Sequence, residues 1–466
     1  MIDTWRTTSS HARIRRRNSS IRIWRPESGK PRGYERQLMT ATGDVFILGI
    51  ASTPAGRFPD RSFLDLCRNV VIGVGEDAGF ADLPVERAWF SSVLMDFWGQ
   101  RACRGQEVLT PLCDEGLLPH GLCIQNVEAG CASGTTAFFG ALSDVLSGEA
   151  EVALAVGVEK MNHPTRPRGD ILAWIEGTAG QLDAEYFYAP HRKLAAELDV
   201  SFSPGEEGRS IAMDVYALWA QAHKQAFGTT DQQIAAAAAK NHTNAVDNPR
   251  AQYRFPMTIE EVLADRMVTQ PLTRAMCAPT GDAAAAVLVC SRTYLEKQSR
   301  AVRERALPIL GHSACGGRRW SLFEDDRAAA RAAGRAYQRA GIGPPDLDLV
   351  ELHDATSIAE ILLVEDLGLC ARGQGGSFTA SGATAHDGEI PVNTSGGLVS
   401  RGHPIGATGI MMLNEVALQL RGEAEALQLP RARVGLAENG GGIVGQDNAV
   451  SAVTILGAPA RPGRSR

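Results

Sequence analysis

The sequence predicts an α/β layered fold made of two similar halves. Three observations carry this prediction. Short apolar strands alternate with helix-like stretches, a glycine-flanked motif occurs once in each half, and a long polar stretch interrupts the first half.

The elements follow in order. Val45-Phe-Ile-Leu-Gly-Ile50 is a continuous apolar run, the pattern of a buried strand. Ser62–Ala78 carries Phe63, Leu66, Val70 and Val71 at helical spacing. Strands are expected near Ala88–Leu94 and over Leu122–Val127. Cys131-Ala-Ser-Gly-Thr-Thr136 then opens a helix to about Leu146, and Glu151–Val158 is another buried strand. Residues 162–270 lose the rhythm. They are polar and mixed, helical in pieces such as Ser210–Ala226 and Asp231–Asn241, and they read as an inserted lid. Strands resume at Ala283–Cys290. The second half has a strand at 307–311, an Ala/Arg-rich helix at 326–340 and a strand at Asp348–Leu352. Helices at 357–367 and about 406–421 follow, then strands at Ala432–Leu436 and Ala449–Leu456. Such alternation implies layers of helices on sheets. The expected units are 44–295, including the insertion at about 162–270, and 305–457, with a flexible tail at 458–466.

The repeat pairs Gly130-Cys-Ala-Ser-Gly134-Thr-Thr136 with Gly402-His-Pro-Ile-Gly406-Ala-Thr408. Both glycines and the second threonine coincide. Each segment opens an apolar helix that ends at Gly-Glu-Ala, residues 148–150 and 422–424, and a strand follows each. A duplicated unit accounts for this setting. A pseudo-twofold would bring the two helix N-termini face to face, so that Cys131 and His403 converge on one pocket.

Composition narrows the function classes. The 466 residues suggest two or three compact units at roughly 100–200 residues each. With 44% hydrophobic and 21% charged residues, a mainly disordered chain is excluded. No apolar run approaches the roughly 18 residues of a membrane span, so no membrane insertion is expected. A net charge of −6 provides no global basic field for nucleic acid. The nine cysteines form no C-x-x-C pair and no zinc spacing, so no metal is expected. They fit reduced thiols in a cytoplasmic compartment. Residues 1–38 hold ten Lys or Arg against Asp3, Glu27 and Glu35, without an apolar core. This is not a secretory signal. A disordered basic extension over 1–43 is favoured, with Met39 as the working start, over an organellar transit peptide.

Four loops carry the candidate chemistry. Cys131, at a helix N-terminus among small residues, sees the positive end of the helix dipole, which favours thiolate and a nucleophilic role. His353 ends a buried strand, where α/β active sites are built, although a satisfied core histidine fits equally well. His403 lies in a glycine-rich helix entry where packing gives little reason for a histidine. Glu438 follows an apolar strand and precedes Gly440–Gly442. A solvated loop charge and a plain turn are the simpler readings there.

These loops resemble those of the thiolase superfamily. Gly402-His-Pro-Ile-Gly-Ala-Thr-Gly409 is close to its signature, and Glu128-Ala-Gly-Cys131-Ala-Ser-Gly134 resembles its nucleophile loop. Gly157-Val-Glu-Lys-Met161 resembles the strand that follows. His353-Asp-Ala-Thr, with Glu365-Asp-Leu-Gly-Leu-Cys-Ala-Arg-Gly-Gln-Gly375 downstream, is most similar to the sterol-carrier-protein-linked branch. The resemblance spans about residues 44–457. It implies a five-layered fold of two α/β halves with an inserted loop domain, usually dimeric. It also implies an acyl group on Cys131, activation of that cysteine by His403, and His353 holding a water or the substrate oxygen. The amides of Cys131 and Gly440 would form an oxyanion hole. Coenzyme A would be a co-substrate, with no permanently bound cofactor.

One departure stands out. The second cysteine of ordinary thiolases falls at Glu438 here, and its alternative position in part of the sterol-carrier branch falls at Ala355. Glu438 is therefore the candidate acid/base, provided burial raises its pKa. The leading expectation is an acyltransferase that cleaves or forms a β-ketoacyl-CoA thioester as a homodimer. The alternatives are a retro-aldolase or C-acyltransferase in a complex with a small zinc-ribbon/OB-fold partner, and a non-catalytic lipid-binding paralogue.

Overall fold

The computed structural model describes residues 44–177, 183–206, 209–319 and 322–460. The basic extension at 1–43 and most of the tail at 458–466 lie outside the described residues.

The first half runs β1 (Val45–Ser52), α1 (Phe63–Ala78), β2 (Arg87–Ser91), α2 (Arg104–Asp114), β3 (Cys123–Val127), α3 (Ser133–Ser147) and β4 (Val152–Glu159). The insertion then supplies α4 (Arg168–Gly177), α5 (Ala184–Leu198), α6 (Ile211–Phe227), α7 (Asp231–Asn244) and α8 (Ile259–Ala264). It closes with β5 (Met267–Thr269) and β6 (Leu272–Thr273), and β7 (Ala283–Ser291) returns to the sheet. Short helices α9 (Arg292–Glu296) and α10 (Arg300–Arg305) lead to the second half. That half holds β8 (Leu307–Gly316), α11 (Ala328–Ala340), β9 (Leu349–Glu351) and α12 (Ser357–Asp366). It ends with α13 (Gly375–Ala380), α14 (Gly397–Arg401), α15 (Thr408–Arg421), β10 (Val434–Val444) and β11 (Asp447–Gly457).

Local chemistry sets the helix ends. The Ser62 hydroxyl accepts from the Asp65 amide and the Asp65 carboxylate accepts from the Ser62 amide, a capping box that starts α1. The matched glycines Gly148 and Gly422 both end their helices at φ 78°, a left-handed conformation that disfavours other residues.

The strands join in the order β3-β2-β4-β7-β1-β8-β11-β10-β9, and the topology contains the duplication. In the first half β1 and β7 are antiparallel, β7 and β4 antiparallel, β4 and β2 parallel, and β2 and β3 parallel. In the second half β8 and β11 are antiparallel, β11 and β10 antiparallel, and β10 and β9 parallel. A parallel bridge from Val350 to Val392 stands where β3 would. The halves meet at two residue pairs between β1 and β8.

Helices α3 and α15 pack together between the halves. Phe138 and Leu142 from α3 share one core with Met411 and Val416 from α15, Ala155 and Val287 from the first half, and Ile309 and Ala437 from the second. Helices α1 and α2 cover the outer face of the first half, and α11 that of the second. This is the five-layered arrangement that the resemblance implies. Glycine permits the central contact. A Cβ on Gly134 would stand 3.0 Å from the Gly406 carbonyl oxygen, and one on Gly409 only 2.1 Å from Thr135 Oγ1.

The structure corrects three expectations. β10 does not stop at Leu436 but runs on through Gly440–Gly442 to Val444, so the glycines form a strand and not a turn. Helix α2 had no counterpart in the sequence reading, because its polar residues and Pro111 mask the buried Val108, Leu109 and Leu112. The insertion is more than a polar lid. Trp219 of α6 and Ile234 of α7 are buried with Ile358 and Leu362 of α12 in a core of its own.

Candidate active site

The turn before α3 holds Cys131. The Ser133 hydroxyl donates to the Gly130 carbonyl at 2.6 Å and accepts from the Ala129 amide at 2.8 Å, which fixes that turn. A Cβ on Gly130 would meet the Gly442 amide nitrogen at 2.9 Å, and one on Gly441 the Ala129 carbonyl at 2.2 Å. The glycines of β10 therefore let the strand lie directly against the nucleophile turn.

His353 follows β9 and His403 lies between α14 and α15; both are buried. The structure brings Cys131, His353 and His403 together, with one donor atom of each within 4.8 Å of the others. Among the described residues no other group of three such donors is this close. The two rings meet edge to face at 5.0 Å between centroids. The Thr408 hydroxyl donates to the Pro404 carbonyl at 3.0 Å, so its oxygen is left to accept from His403 Nδ1 at 2.8 Å. That assignment puts the proton on Nδ1. It leaves Nε2, which is buried and has no protein partner, as a bare acceptor.

The electrostatics correct one expectation. Burial pushes the Cys131 thiol up to about 12, outweighing the amides of Cys131 and Gly442, while the charges of Glu128 and Glu159 push it the same way. The resting side chain is a neutral thiol, not a thiolate, because desolvation exceeds the pull of the helix terminus. Burial also lowers His353 to about 3 and holds His403 well below the ordinary imidazole range. A neutral thiol thus sits beside neutral imidazoles, as thiol activation by a base requires.

Glu438 is not a loop charge. It is fully buried in β10, where the His353 amide and the Ser451 hydroxyl lie near its carboxyl but neither makes a hydrogen bond of ordinary geometry. Burial pushes its carboxyl up to about 8, against a smaller downward pull from the His353 amide. It lies on the His353 side and is not one of the three clustered groups. Gly440 pairs with Ser451, and a Cβ there would stand 2.5 Å from Asn448 Nδ2. The amide that acts on the Cys131 thiol, beside its own, is that of Gly442.

The sequence reading assigned no role to other residues at the site, although Glu351 and Asp354 flank His353 in its motif. Glu351 accepts from the Ser395 amide and hydroxyl, and Asp354 accepts from the Leu398 amide at 2.6 Å. These carboxylates, on either side of His353, anchor the segment leading to His403. Tyr216, on α6 of the insertion, is buried, and its phenol is raised by burial first and then by the Cys131 and Glu438 charges. The Cys131 side chain also borders an apolar cluster of Val93, Leu94, Phe97, Met161, Ile171 and Ile405.

Comparison with known proteins bears on the family and the fold. Residues 45–293 match the family model for the thiolase N-terminal domain, and residues 319–457 match the thiolase C-terminal domain-like model. The chain is 35% identical over 409 residues to acetyl-CoA acetyltransferase of Methanothermobacter thermautotrophicus, covering 86% of this chain and 97% of that protein. It is 32% identical to sterol carrier protein 2 of Bos taurus over 86% of this chain and 71% of that one. It is 34% identical to the benzoylsuccinyl-CoA thiolase subunit BbsB of Thauera aromatica over 72% and 80%. Among solved structures, the Ltp2-ChsH2(DUF35) aldolase superposes with a TM-score of 0.70 at 20% identity, covering 90% of this chain and 99% of that one. Acetyl-CoA acetyltransferase from Syntrophomonas wolfei superposes with a TM-score of 0.61 at 17% identity, over 90% and 100%. With both halves matched and the repeat present in the sheet itself, this chain belongs to the thiolase family.

Proposed function

We propose that the chain transfers acyl groups through Cys131 and breaks or makes the carbon–carbon bond of a β-ketoacyl-CoA thioester. The observation that carries this reading is the bare Nε2 of His403 beside a neutral Cys131 thiol. In the degradative direction, His403 takes the thiol proton as the sulfur attacks the β-carbonyl. Amide donors from the Cys131 turn and the Gly440–Gly442 run stabilise the oxyanion, each such donor being worth roughly 3–4 kcal/mol. Collapse of the adduct breaks the carbon–carbon bond and leaves an acyl-cysteine and a thioester enolate. Glu438, neutral in its buried site, protonates that enolate at carbon. The resulting carboxylate then takes the thiol proton of coenzyme A, whose sulfur displaces the acyl group from Cys131, and the leaving Cys131 sulfur takes its proton back from His403. His353 holds the substrate oxygen. Coenzyme A is a co-substrate, and no permanent cofactor is needed.

The units 44–295 and 305–457 are proposed as the two halves, acting in the cytoplasm as a homodimer. A second reading has one specific support. Neither position 355 nor 438 carries the second thiol, and the fold superposes on an aldolase that is named with a partner subunit. Under that reading the chain is a retro-aldolase or C-acyltransferase that works with a small partner.

The test is thiolysis over a panel of acyl chain lengths, with intact-mass measurement of the protein. The expected result is an acyl adduct that disappears in Cys131→Ala. An adduct that persists in Cys131→Ala overturns the assignment. Cleavage of β-hydroxyacyl but not β-ketoacyl thioesters selects the second reading.

A further inference from the structure

Two side chains that the proposed chemistry does not use occupy equivalent places in the repeat. The parallel β2–β4 ladder ends at Ser91 opposite Gly157, and the parallel β9–β10 ladder ends at Glu351 opposite Ala437. Two residues beyond these ends stand Glu159 and Asn439. Both are buried, at 0% and 1% exposure. Each reaches across the molecule to the helix-entry turn of the other half. Glu159 Oε2 accepts from the Gly406 amide at 3.0 Å, three residues after His403. Asn439 Oδ1 accepts from the Thr135 hydroxyl at 2.9 Å, four residues after Cys131.

Glu159 is the more heavily bonded of the two. Its Oε1 also accepts from the Ser92 hydroxyl at 2.8 Å and the Leu94 amide at 3.1 Å, and its Oε2 from the Val93 amide at 2.8 Å. All four partners donate, which favours the ionised carboxylate, while burial, the larger effect, pushes the carboxyl up to about 7. The other end of the Gly406 residue is held as well: its carbonyl accepts from the Ser91 hydroxyl at 2.8 Å. The first half thus grips the N–H and the C=O of one residue in the turn that carries His403. A Cβ on Gly157 would come within 2.4 Å of that same carbonyl, so no side chain fits between strand and turn.

We propose that Glu159 and Asn439 are reciprocal positioning residues that set the approach of the His403 turn to the Cys131 turn, with Glu159 holding His403 in place. This rests on the reading of Cys131 as nucleophile and His403 as its base. A displacement near 1 Å at a reacting pair costs about 10²-fold in rate. Glutamine at 159 keeps the shape but turns one oxygen into a donor, which must face two of the four donors now bound.

The experiment uses the full chain and two readouts. One is the pH dependence of Cys131 alkylation by iodoacetamide, followed by mass spectrometry of the Cys131 peptide, which needs no acyl turnover. The other is kcat and KM for thiolysis. Glu159→Gln should lower kcat by about 10²-fold with KM changed by less than about threefold. It should also move the alkylation midpoint to lower pH, because one of the two charges that add to burial in raising the thiol is gone, that of Glu128 remaining. Asn439→Ala should lower kcat without moving the midpoint, since no charge is removed. Ser91→Ala, which loosens only the grip on the Gly406 carbonyl, should lower kcat by roughly tenfold with an unmoved midpoint. It provides the test if Glu159→Gln does not fold. Folded Glu159→Gln with parental kcat and midpoint overturns the proposal, as does Ser91→Ala with parental kcat. If alkylation at other sites and not at Cys131 abolishes parental turnover, it is the nucleophile assignment that fails.

Discussion

At the scale of single residues, burial decides protonation throughout the site. Glu438 titrates in water near 4.5 and is pushed up to about 8 in the fold. The folded state therefore holds a proton that the unfolded chain releases. This group's contribution to stability is fully present below its unfolded pKa and is lost as pH rises through the folded one. Glu438→Gln keeps a neutral side chain at every pH, so its melting temperature should gain on the parent's between pH 5 and pH 8. Calorimetry of both proteins across that range checks the sign. The same variant should spare acylation of Cys131 by a simple thioester and slow carbon–carbon cleavage by about 10²–10⁴-fold, as loss of a positioned acid does. Parental carbon–carbon activity in Glu438→Gln would remove it from the mechanism. His353 has the opposite sign. Its pKa is lowered to about 3, so its contribution is present above the unfolded value near 6.5 and is lost as pH falls toward the folded one. His353→Asn should flatten the loss of melting temperature between pH 6 and pH 4, measured in the same way.

At the scale of elements, what the sequence revealed follows from which contacts are local. β1, β4 and β7 read as strands because each is an apolar run buried on both faces. The Cys131 and His403 turns were legible because each repeats the other's glycines, and those glycines make the α3–α15 contact. β10 beyond Leu436 was not legible. Its glycines look like a turn until the nucleophile turn is seen lying on them. The roles of Glu159 and Asn439 were not legible either, although Glu159 lies in a segment that carries the resemblance, since each is one polar residue at a strand end whose partner comes from the other half. The tightest element contact gives a prediction. A Cβ on Gly409 would lie 2.1 Å from Thr135 Oγ1, 2.3 Å from Asn439 Oδ1 and 2.6 Å from the Thr135 amide nitrogen. The amide belongs to the backbone of α3 and has little room to move. Gly409→Ala should destabilise the protein by about 1–3 kcal/mol and separate the two turns. Chemical denaturation measures the first effect and the Cys131 acylation rate the second; a neutral result in both would mean the helices slide past each other freely.

At the scale of the molecule, the nine-stranded sheet has unequal ends. β9 is followed by the Val350–Val392 bridge, whereas among the described residues β3 has only β2 as a neighbour. β3 reads Cys123-Ile-Gln-Asn-Val127, with Cys123 and Asn126 exposed and the others half-buried. It lacks the lysine or proline that usually protects an open edge. An unprotected edge of this kind pairs with another strand, and a second copy of the same strand is always at hand. The homodimer expected of this chain is therefore predicted to form through β3. The consequence reaches the chemistry, because β3 runs through Glu128–Gly130 directly into Cys131. Pairing at β3 would hold the nucleophile turn from behind. Antiparallel pairing about a twofold near Ile124 would set the lysine at Cys123 of each copy opposite the lysine at Gln125 of the other, and like charges directly opposite are destabilising. The parent is expected to sediment as a dimer and the double variant Cys123→Lys/Gln125→Lys as a monomer. It should also acylate Cys131 more slowly while keeping a cooperative melt. A variant that remains dimeric would place the interface elsewhere, and a monomer with parental acylation would show that the turn needs no support from a second copy.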